Sequence, residues 1–354
     1  MKRLLFTIGM VILLLRPVNI FCQDISLIIK RSGVTYRLAD KPLYIDPVYN
    51  GSTDPMVCYN SNTNKWYMYY TSRRSNVSGI NMIESIHGSP IGIAASNDGG
   101  ATWVYVGNCN IDYHPDENPT YWAPEVIEHK GTYHMYLTYV PGIFNNWEHP
   151  RDIVHLTSKD GINWETQSVL KLAVNKVIDA CIIQLANGTW RLWYNNEEDN
   201  KSIYYAESSD LYHWTDKGKV DINTIGEGPN VIFWHDKYYM IVDEWKGLSV
   251  FSSDDALIWS KQKEYLVPGV PLEDSGVTNQ NPDSRRRVRM VDGSRGNHAD
   301  IEISNGHAYM FYFSGIPVSM NKRGSAVYVQ ELVYNEDGTI SCDPVAPCYI
   351  NLDK

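Results

Sequence analysis

Five polar side chains stand at matching places along the chain, each at the head of an apolar, strand-like run. They are Asp54, Glu125, Asp179, Glu227 and His298. Cleavage of a glycosidic bond uses such residues, because one protonated carboxylic acid assists the leaving oxygen while one carboxylate activates water or attacks the anomeric carbon. Carboxyl groups that lie close together push their pKa values apart, so a third acid can keep the proton on the intended donor.

Taken singly, most of these residues have a structural explanation. Asp54 precedes a proline, as turn residues often do, Glu227 lies between two glycines, and a lone histidine is usually a satisfied hydrogen-bonding group. Asp179 is the exception, since it lies in the apolar segment 177–183, where a carboxylate needs partners. An acid or a histidine at one place in five repeats favours a shared site over five separate structural roles.

The elements that must position these side chains are β-strands, because the runs are rich in aromatic and β-branched residues and have no helical period. Each repeat contains three such runs, and in four repeats a tryptophan opens a fourth run: Trp103, Trp164, Trp214 and Trp259. Repeats of three or four antiparallel strands are typical of propeller blades. Five copies predict an all-β fold, a five-bladed β-propeller, with the five polar heads around one mouth of its channel. We expect the tryptophans to pack between blades.

The motifs that carry these heads resemble those of a known enzyme family. The order Asp54-Pro55, Trp122-Ala123-Pro124-Glu125, Ile178-Asp179, Glu227-Gly228-Pro229 and His298 is similar to that of the five-bladed propeller enzymes of glycoside hydrolase family 43. The resemblance covers nearly all of the chain after residue 22. It implies that Asp54 is the general base, Glu227 the general acid, and Asp179 the residue that orients the acid and tunes its pKa, in a reaction that inverts configuration.

The same resemblance implies roles for the surrounding residues. His298 matches the channel histidine, which in that family often holds a central water or a calcium ion, so a structural Ca²⁺ is an expectation while no cofactor is required. Trp122 and Tyr121 are candidates for a wall that stacks on sugar, and Trp245 is a further candidate substrate contact. Glu125 is expected to support the site from behind the residues that touch the sugar.

Some positions depart from the family pattern and leave the function open. Ala180-Cys181 follows Asp179 where the family commonly has Pro or Gly and a small residue, and the segment after His298 is similar to the distant family 117. The favoured function is an inverting exo-glycosidase acting on furanosides or xylosides of plant or algal glycans. The alternatives are a propeller glycosidase of other specificity, related to family 117 or to sialidases, and a non-catalytic sugar-binding propeller.

Two insertions are expected to shape the substrate pocket. Residues 73–90 carry Arg73, Arg74, Glu84 and His87, and residues 263–297 carry the basic run 285–289 and Arg295. Loops of this length are usually functional or disordered. Cationic loops on an acidic protein suit a uronate or sulfate group, and the alternative is a solvated loop paired with the acidic body. Arg295, three residues before His298, is the strongest single candidate.

The composition and residues 1–22 limit which partners and which compartment are expected. The net charge of −10 argues against nucleic acid and anionic membranes as partners, which leaves an oligosaccharide or polysaccharide. Residues 1–22 have the pattern of a signal peptide, and their apolar run is too short to span a bilayer. We therefore expect an exported protein with one catalytic domain, residues 23–354. Lipid attachment at Cys22 is the less favoured alternative, and the oligomeric state stays open.

The six cysteines do not have the spacing of a metal site. A disulfide between Cys342 and Cys348 is predicted because exported proteins form such bonds readily.

Overall fold

The strand-like repeats form five antiparallel sheets, each made from one continuous stretch of chain and each ordered inner, second, third and outer strand. The computed structural model describes residues 26–271, 288–289, 295–319 and 322–353. The predicted signal peptide, with Cys22, lies outside these ranges. The five sheets are the blades of a five-bladed β-propeller, which confirms the predicted fold.

The blades follow one another in chain order. Blade 1 contains Ser52–Asn60, Lys65–Ser72, Ile91–Ser96 and Val104–Asn108. Blade 2 contains Thr120–His129, Thr132–Val140, Asp152–Ser158 and Asn163–Val169, with Asn110–Ile111 added at its outer edge. Blade 3 contains Val177–Gln184, Trp190–Asn196, Ser202–Ser208 and Thr215–Lys219. Blade 4 contains Glu227–Trp234, Lys237–Asp243, Leu248–Ser253 and Ser260–Lys261. Blade 5 contains Asn297–Ser304, His307–Ser319, Lys322–Tyr334 and Ile340–Ser341.

The remaining elements are short. A small sheet outside the ring consists of Ile28–Arg31, Val34–Leu38 and Tyr349–Ile350. Val270–Pro271 pairs with Val288–Arg289. The helical turns are Met82–Ser85 and Pro115–Glu117. Among the described residues, helices are all too short or too polar to cross a bilayer.

Five large apolar clusters join each blade to the next around the ring. In the second strand of blade 1, Trp66, Met68 and Tyr70 pack toward blade 5. Tyr67 and Tyr69, which alternate with them, pack toward blade 2. Successive side chains of a strand point to opposite faces, so a blade that is covered on both sides is apolar at nearly every position. This explains the long aromatic runs in the sequence.

The tryptophans that open the outer strands all lie in or against these clusters: Trp103, Trp164, Trp214 and Trp259. Each follows a turn braced by an aspartate, and the Asp160 carboxylate accepts hydrogen bonds from the backbone of Ile162 and Asn163, each 2.8 Å long. These residues therefore stabilise the blades and lie away from the channel.

The predicted disulfide between Cys342 and Cys348 is wrong, because both are free thiols. Cys342 packs against the cluster between blades 4 and 5, whereas Cys348 is buried in the cluster between blades 5 and 1. The two residues are close in sequence but belong to different sides of blade 5.

Every inner strand carries a β-bulge near its start, where two residues lie opposite one residue of the second strand. The first bulged residue has left-handed backbone in every blade, with φ of 50°, 44°, 62°, 58° and 35° at Asp54, Ala123, Asp179, Gly228 and His298. Gly228 cannot be another residue, because a Cβ there would lie 2.8 Å from the ring of His298. Bulges re-aim side chains, and here they aim residues at one mouth of the channel.

The bulges correct the register that the sequence motifs indicated. Asp54, Asp179 and His298 occupy the bulge position, but Glu227 lies one residue before it and Glu125 two residues after it. The five heads are therefore not equivalent positions. The extra residue of a bulge leaves no mark on the apolar pattern, so alignment by apolar runs cannot detect a shift of one or two residues.

Polar side chains of the inner strands tie neighbouring blades together. Asp300 closes the ring, because its carboxylate accepts the backbone N–H of Val57 in blade 1 at 2.8 Å and the side-chain N–H of Asn230 in blade 4 at 3.1 Å. Glu125 acts in the same way between blades 2 and 3, where it accepts the N–H of Ile182 at 2.7 Å.

Replacing Asp300 tests this closure. Asp300→Ala should lower the free energy of unfolding by about 1–3 kcal/mol, because the N–H of Val57 is then buried without an acceptor. Asp300→Asn keeps that acceptor, and its N–H can meet Oδ1 of Asn230 once the Asn230 amide turns over, since that oxygen lacks a hydrogen-bond partner among the described residues. The asparagine variant should therefore stay within about 0.5 kcal/mol of the parent. Urea unfolding measures both, and equal losses would contradict the proposed role of the carboxylate.

Candidate active site

A pocket of about 450 Å³ opens where the five inner strands begin, and side chains from all five blades or their loops line it. Six residues singled out from the sequence lie on its wall: Asp54, Trp122, Asp179, Glu227, Trp245 and His298. The ring thus brings together acids that are far apart in the chain.

Asp54 is an ionised carboxylate with cationic neighbours. Its Oδ1 lies 3.5 Å from the Arg73 guanidinium and 3.6 Å from Nδ1 of His298, and its Oδ2 accepts a 3.0 Å hydrogen bond from Thr53. Burial would raise the pKa of Asp54, but Arg73 and His298 outweigh burial, so the pKa lies below its usual value. A carboxylate held ionised in this way is suited to accept a proton.

Asp179 is also buried, but its pKa is raised rather than lowered. Its Oδ2 accepts the backbone N–H of Gly228 at 2.9 Å and lies 3.9 Å from Nδ1 of His298. Burial is the main reason that the pKa of Asp179 is raised to about 7, and the charges of Glu227 and Asp54 add to the effect. The same three carboxylates raise the pKa of His298, which burial alone would lower. His298 opposes these effects on Asp179, which nevertheless binds its proton more tightly than Asp54 does.

Glu227 accepts one hydrogen bond at each carboxylate oxygen. Nε1 of Trp245 donates to Oε1 and Nζ of Lys201 donates to Oε2, both at 3.1 Å. Burial would raise the pKa of Glu227, but Lys201 and the hydrogen bond from Trp245 outweigh it and lower the pKa. The ammonium group of Lys201 also lies 5.4 Å from the centre of the Trp245 ring, a cation–π contact.

Asp243 is a fourth buried acid beside this group. It pairs with Glu227 across the first two strands of blade 4, and its Oδ1 accepts the backbone N–H of Trp245 at 2.7 Å. Burial and the charge of Glu227 raise the pKa of Asp243 to about 7, although Arg295 opposes them. Asp243 thus positions the Trp245 loop and adds negative charge behind Glu227.

Aromatic and apolar side chains form the other side of the pocket, namely Ile86, Trp122, Trp147 and Ile178. Nε1 of Trp122 donates a 2.6 Å hydrogen bond to the carbonyl of Ile86, which fixes the indole plane. Ile86 and Arg73 belong to the insertion 73–90, so this insertion does shape the pocket. Within it, Arg74 bonds to carbonyls of the insertion itself and His87 is buried against Trp122.

Three of the predicted site residues do not line the pocket: Tyr121, Glu125 and Arg295. Tyr121 is buried in the cluster between blades 1 and 2, and its hydroxyl donates to the carbonyl of Tyr113, because it alternates with Trp122 along the strand. Glu125 lies deeper in the channel as an inter-blade link, where burial and nearby Asp300 raise its pKa. Arg295 is nine-tenths buried and donates to the carbonyl of Trp245 at 2.6 Å, so it supports the pocket from behind.

The sequence analysis missed three charged residues of the pocket wall: Arg151, Glu197 and Lys201. Glu197 and Lys201 lie in a polar loop of blade 3 that reads as an ordinary turn. Asp243 was also missed, although pairing of its strand with the Glu227 strand could have indicated it. The basic run 285–289 has no described side chains, so its predicted role stays a prediction.

The described residues do not fit a directly bound metal ion. In this part of the chain no three His, Cys, Asp or Glu side chains are grouped to hold one. Nδ1 of His298 faces two carboxylates, Asp54 and Asp179, whose charges raise the pKa of the imidazole.

Sequence and fold comparisons agree on one family. The profile of the glycosyl hydrolases of family 43 matches residues 44–340. No curated protein shows significant sequence similarity to the chain.

Solved structures with the same fold include three glycosidases. A thermostable family-43 glycoside hydrolase is 20% identical, with a TM-score of 0.57 over 86% of this chain and 96% of that one. An exo-1,5-α-L-arabinanase from a bovine ruminal metagenomic library is 15% identical, with a TM-score of 0.59 over 85% and 99%. A β-xylosidase/α-arabinofuranosidase from a compost microbial metagenome is 15% identical, with a TM-score of 0.59 over 88% of this chain and 99% of that one.

The buried acid Asp243 should make the protein less stable as the pH rises. Its pKa of about 7 in the folded state is above the value of about 4 in an unfolded chain, so folding stability falls as the pH rises from about 4 to about 7 and then levels off. Asp243→Asn keeps an acceptor for Trp245 without the charge. We expect a higher midpoint of thermal unfolding than the parent at pH 8, and a gain that shrinks toward pH 5.

Asp254→Asn is the matched control, because the Asp254 side chain is 83% exposed in a surface pair with Lys237. It should leave the midpoint unchanged at both pH values. A gain for Asp243→Asn that is the same at pH 5 and pH 8 would contradict the electrostatic explanation.

Proposed function

Because the chain belongs to the glycosyl hydrolases of family 43, we propose that it is an exported glycosidase that releases terminal furanosides or xylosides from plant or algal glycans. The proposed reaction is a single displacement that inverts the anomeric centre. The proposal rests on one observation, namely that acids on the same pocket wall have pKa values shifted in opposite directions. The pKa of Asp54 is lowered, whereas that of Asp179, whose buried carboxyl group lies beside Glu227, is raised to about 7.

The proposed reaction assigns one step to each acid. Asp54 takes a proton from a water molecule as the oxygen of that water forms a bond to the anomeric carbon. The bond from this carbon to the leaving oxygen breaks at the same time, and Glu227 gives its proton to that oxygen. Asp179 holds the shared proton close to Glu227, because its carboxyl group is buried beside both Glu227 and His298. Inversion requires room for water between the sugar and the base.

The form of the site supports release of a terminal unit from a neutral chain. The wall of the pocket combines indole and aliphatic surface with charged side chains that pair with one another. The arginine and lysine side chains of the wall all face acids of the protein: Arg73, Arg151 and Lys201. A uronate or sulfate would have to compete with these acids. Two proteins of similar fold are described as an arabinanase and a β-xylosidase/α-arabinofuranosidase, which favours pentosides.

Neither a cofactor nor a metal ion takes part in the proposed reaction. Members of this family need no cofactor. A calcium ion in the channel would have to be held through water, and no step depends on it. Export rests on the predicted signal peptide, which lies outside the described residues.

The test is hydrolysis of aryl pentosides and of plant and algal oligosaccharides, with the first anomer released observed by NMR. Asp54→Asn and Glu227→Gln should each lower kcat by at least about 10²-fold, because each removes a proton-transfer group. The parent should release the inverted anomer. Near-normal rates in both variants would refute the assignment.

Two controls separate the alternatives. Asp255→Asn changes an acid that braces a surface turn of blade 4 and should keep the parental rate. Sugar binding without any released anomer would indicate the non-catalytic propeller, and a retained anomer would indicate a different glycosidase mechanism.

Replacing Asp179 tests the shared proton. The rate should fall above about pH 7 in the parent, because the reaction needs the proton that Asp179 and Glu227 share. Asp179→Asn removes a negative charge that favours protonation of Glu227. The alkaline limb of the pH–rate profile should therefore move to lower pH, and its maximum should fall. A lower maximum with an unchanged limb would mean that Asp179 is only structural.

A further inference from the structure

We propose that Lys201 is a positioning residue for the reaction, which fixes the carboxyl group of Glu227 and opposes its protonation until the leaving oxygen arrives. This inference rests on the proposed function, in which Glu227 is the acid. Lys201 is not among the predicted catalytic residues, and it approaches the pocket from a loop of blade 3 rather than from an inner strand.

Each oxygen of Glu227 already accepts one N–H hydrogen bond while Lys201 stays in place. Trp245 donates to Oε1 and Lys201 donates to Oε2. The ammonium charge and its hydrogen bond favour the ionised carboxylate over the protonated acid. Trp245 is fixed, since its backbone N–H bonds to Asp243 and its carbonyl accepts from Arg295. Lys201 has a flexible side chain that is 28% exposed, so it is the partner that must move.

A buried acid holds Lys201 from the other side. Oε1 of Glu197 lies 2.6 Å from Nζ of Lys201, and Oε2 of Glu197 lies 2.6 Å from Nε of Arg151. The side chain of Glu197 is only 9% exposed. Opposite charges therefore alternate along the wall, from Arg151 through Glu197 and Lys201 to Glu227. A lysine with acids on both sides stays charged, and the pKa of Lys201 is raised although burial alone would lower it.

The backbone of the loop is built to present Lys201. Asn200 and Lys201 both have left-handed conformation, with φ of 50° and 55°. This costs about 1 kcal/mol or more at each non-glycine residue. Oδ1 of Asn196 accepts the N–H groups of Glu198 and Asp199, which tightens the turn. Flexible surface lysines need no such backbone, and exposed ion pairs contribute little.

The loop is also tied to the backbone next to Glu227. The carbonyl of Lys201 accepts the N–H of Gly226 at 3.2 Å, immediately before Glu227. Both a side-chain and a backbone hydrogen bond therefore connect the loop to the Glu227 strand and keep the ammonium group of Lys201 beside the carboxyl group of Glu227.

The charges around Glu227 come from several elements. The buried carboxyl groups of Asp179 from blade 3 and Asp243 from blade 4 lie beside it, and the charge of Arg151 also acts on it. His298 from blade 5 is a second cation, but it is shared with Asp54 and Asp179. Lys201 is the one cation that bonds directly to Glu227 among the described residues. Its removal leaves Glu227 among acids, where protonation is favoured.

The experiment compares Lys201→Met, Lys201→Arg and the control Lys219→Met. Lys219 pairs with Asp199 of the same loop but faces solvent, with 49% exposure. Lys201→Met should move the alkaline limb of the kcat/KM profile up by about one pH unit or more, and lower kcat below that limb because Glu227 loses its orientation. Lys201→Arg should keep the parental limb, and Lys219→Met should match the parent. An unchanged limb, or one moved to lower pH, overturns the proposal.

A titration without substrate separates this inference from the proposed function. Protein labelled with ¹³C at the glutamate carboxyl groups is titrated by NMR, and Glu227→Gln identifies the resonance of Glu227. The midpoint should lie below the ordinary glutamate value in the parent and rise by about one unit or more in Lys201→Met. An unmoved midpoint overturns the inference even if the protein hydrolyses glycosides. A moved midpoint together with full activity of Asp54→Asn and Glu227→Gln supports the ion pair and refutes the proposed function.

Discussion

The constraint on which this structure depends is the burial of several carboxyl groups around one narrow channel. Burial raises the free energy of each charged carboxylate, so the group cannot stay fully ionised without cations. Arg73, Lys201 and His298 supply the cations. Asp54 lies beside both Arg73 and His298, whereas Asp179 lies beside His298 alone of these three, so the pKa of Asp54 is lowered and that of Asp179 is raised. The same buried charge that gives the site its chemistry lowers the stability of the fold at high pH.

The ring of blades and the bulges solve the problem of bringing these groups together. Each inner strand begins with a left-handed residue, and this conformation carries a cost for every residue but glycine. The cost is balanced by the apolar clusters on both sides of each blade and by the polar links along the channel. At Gly228 the left-handed backbone and the close packing of the channel act together, since a Cβ there would lie 2.8 Å from the ring of His298.

The fold and the principal acids could be predicted from the sequence because both leave strong local signals. Alternating apolar runs and turn motifs repeated five times define the blades, and Asp179 stands out because it interrupts an apolar run. The alignment of the inner strands with one another could not be predicted from the sequence, since a bulge does not disturb the apolar pattern. For this reason Glu125 and Glu227 were predicted to be equivalent positions. Lys201 and Asp243 depend on contacts between blades or across strands, which no single stretch of sequence encodes. Tyr121 and Trp122 show the same limit, because one residue along a strand separates a buried side chain from one that faces the pocket.

One feature of the ring bears on how the protein is made. Every blade is a continuous stretch of chain, so no strand is shared between the first and the last blade, and the outer sheet joins Val34–Leu38 to Tyr349–Ile350. During synthesis four blades can form in turn, but the pocket needs Asp54 from the first and His298 from the last. The complete pocket therefore assembles only after blade 5 has emerged from the ribosome, and a nascent chain stopped short of blade 5 has most of the acids but no enclosed site.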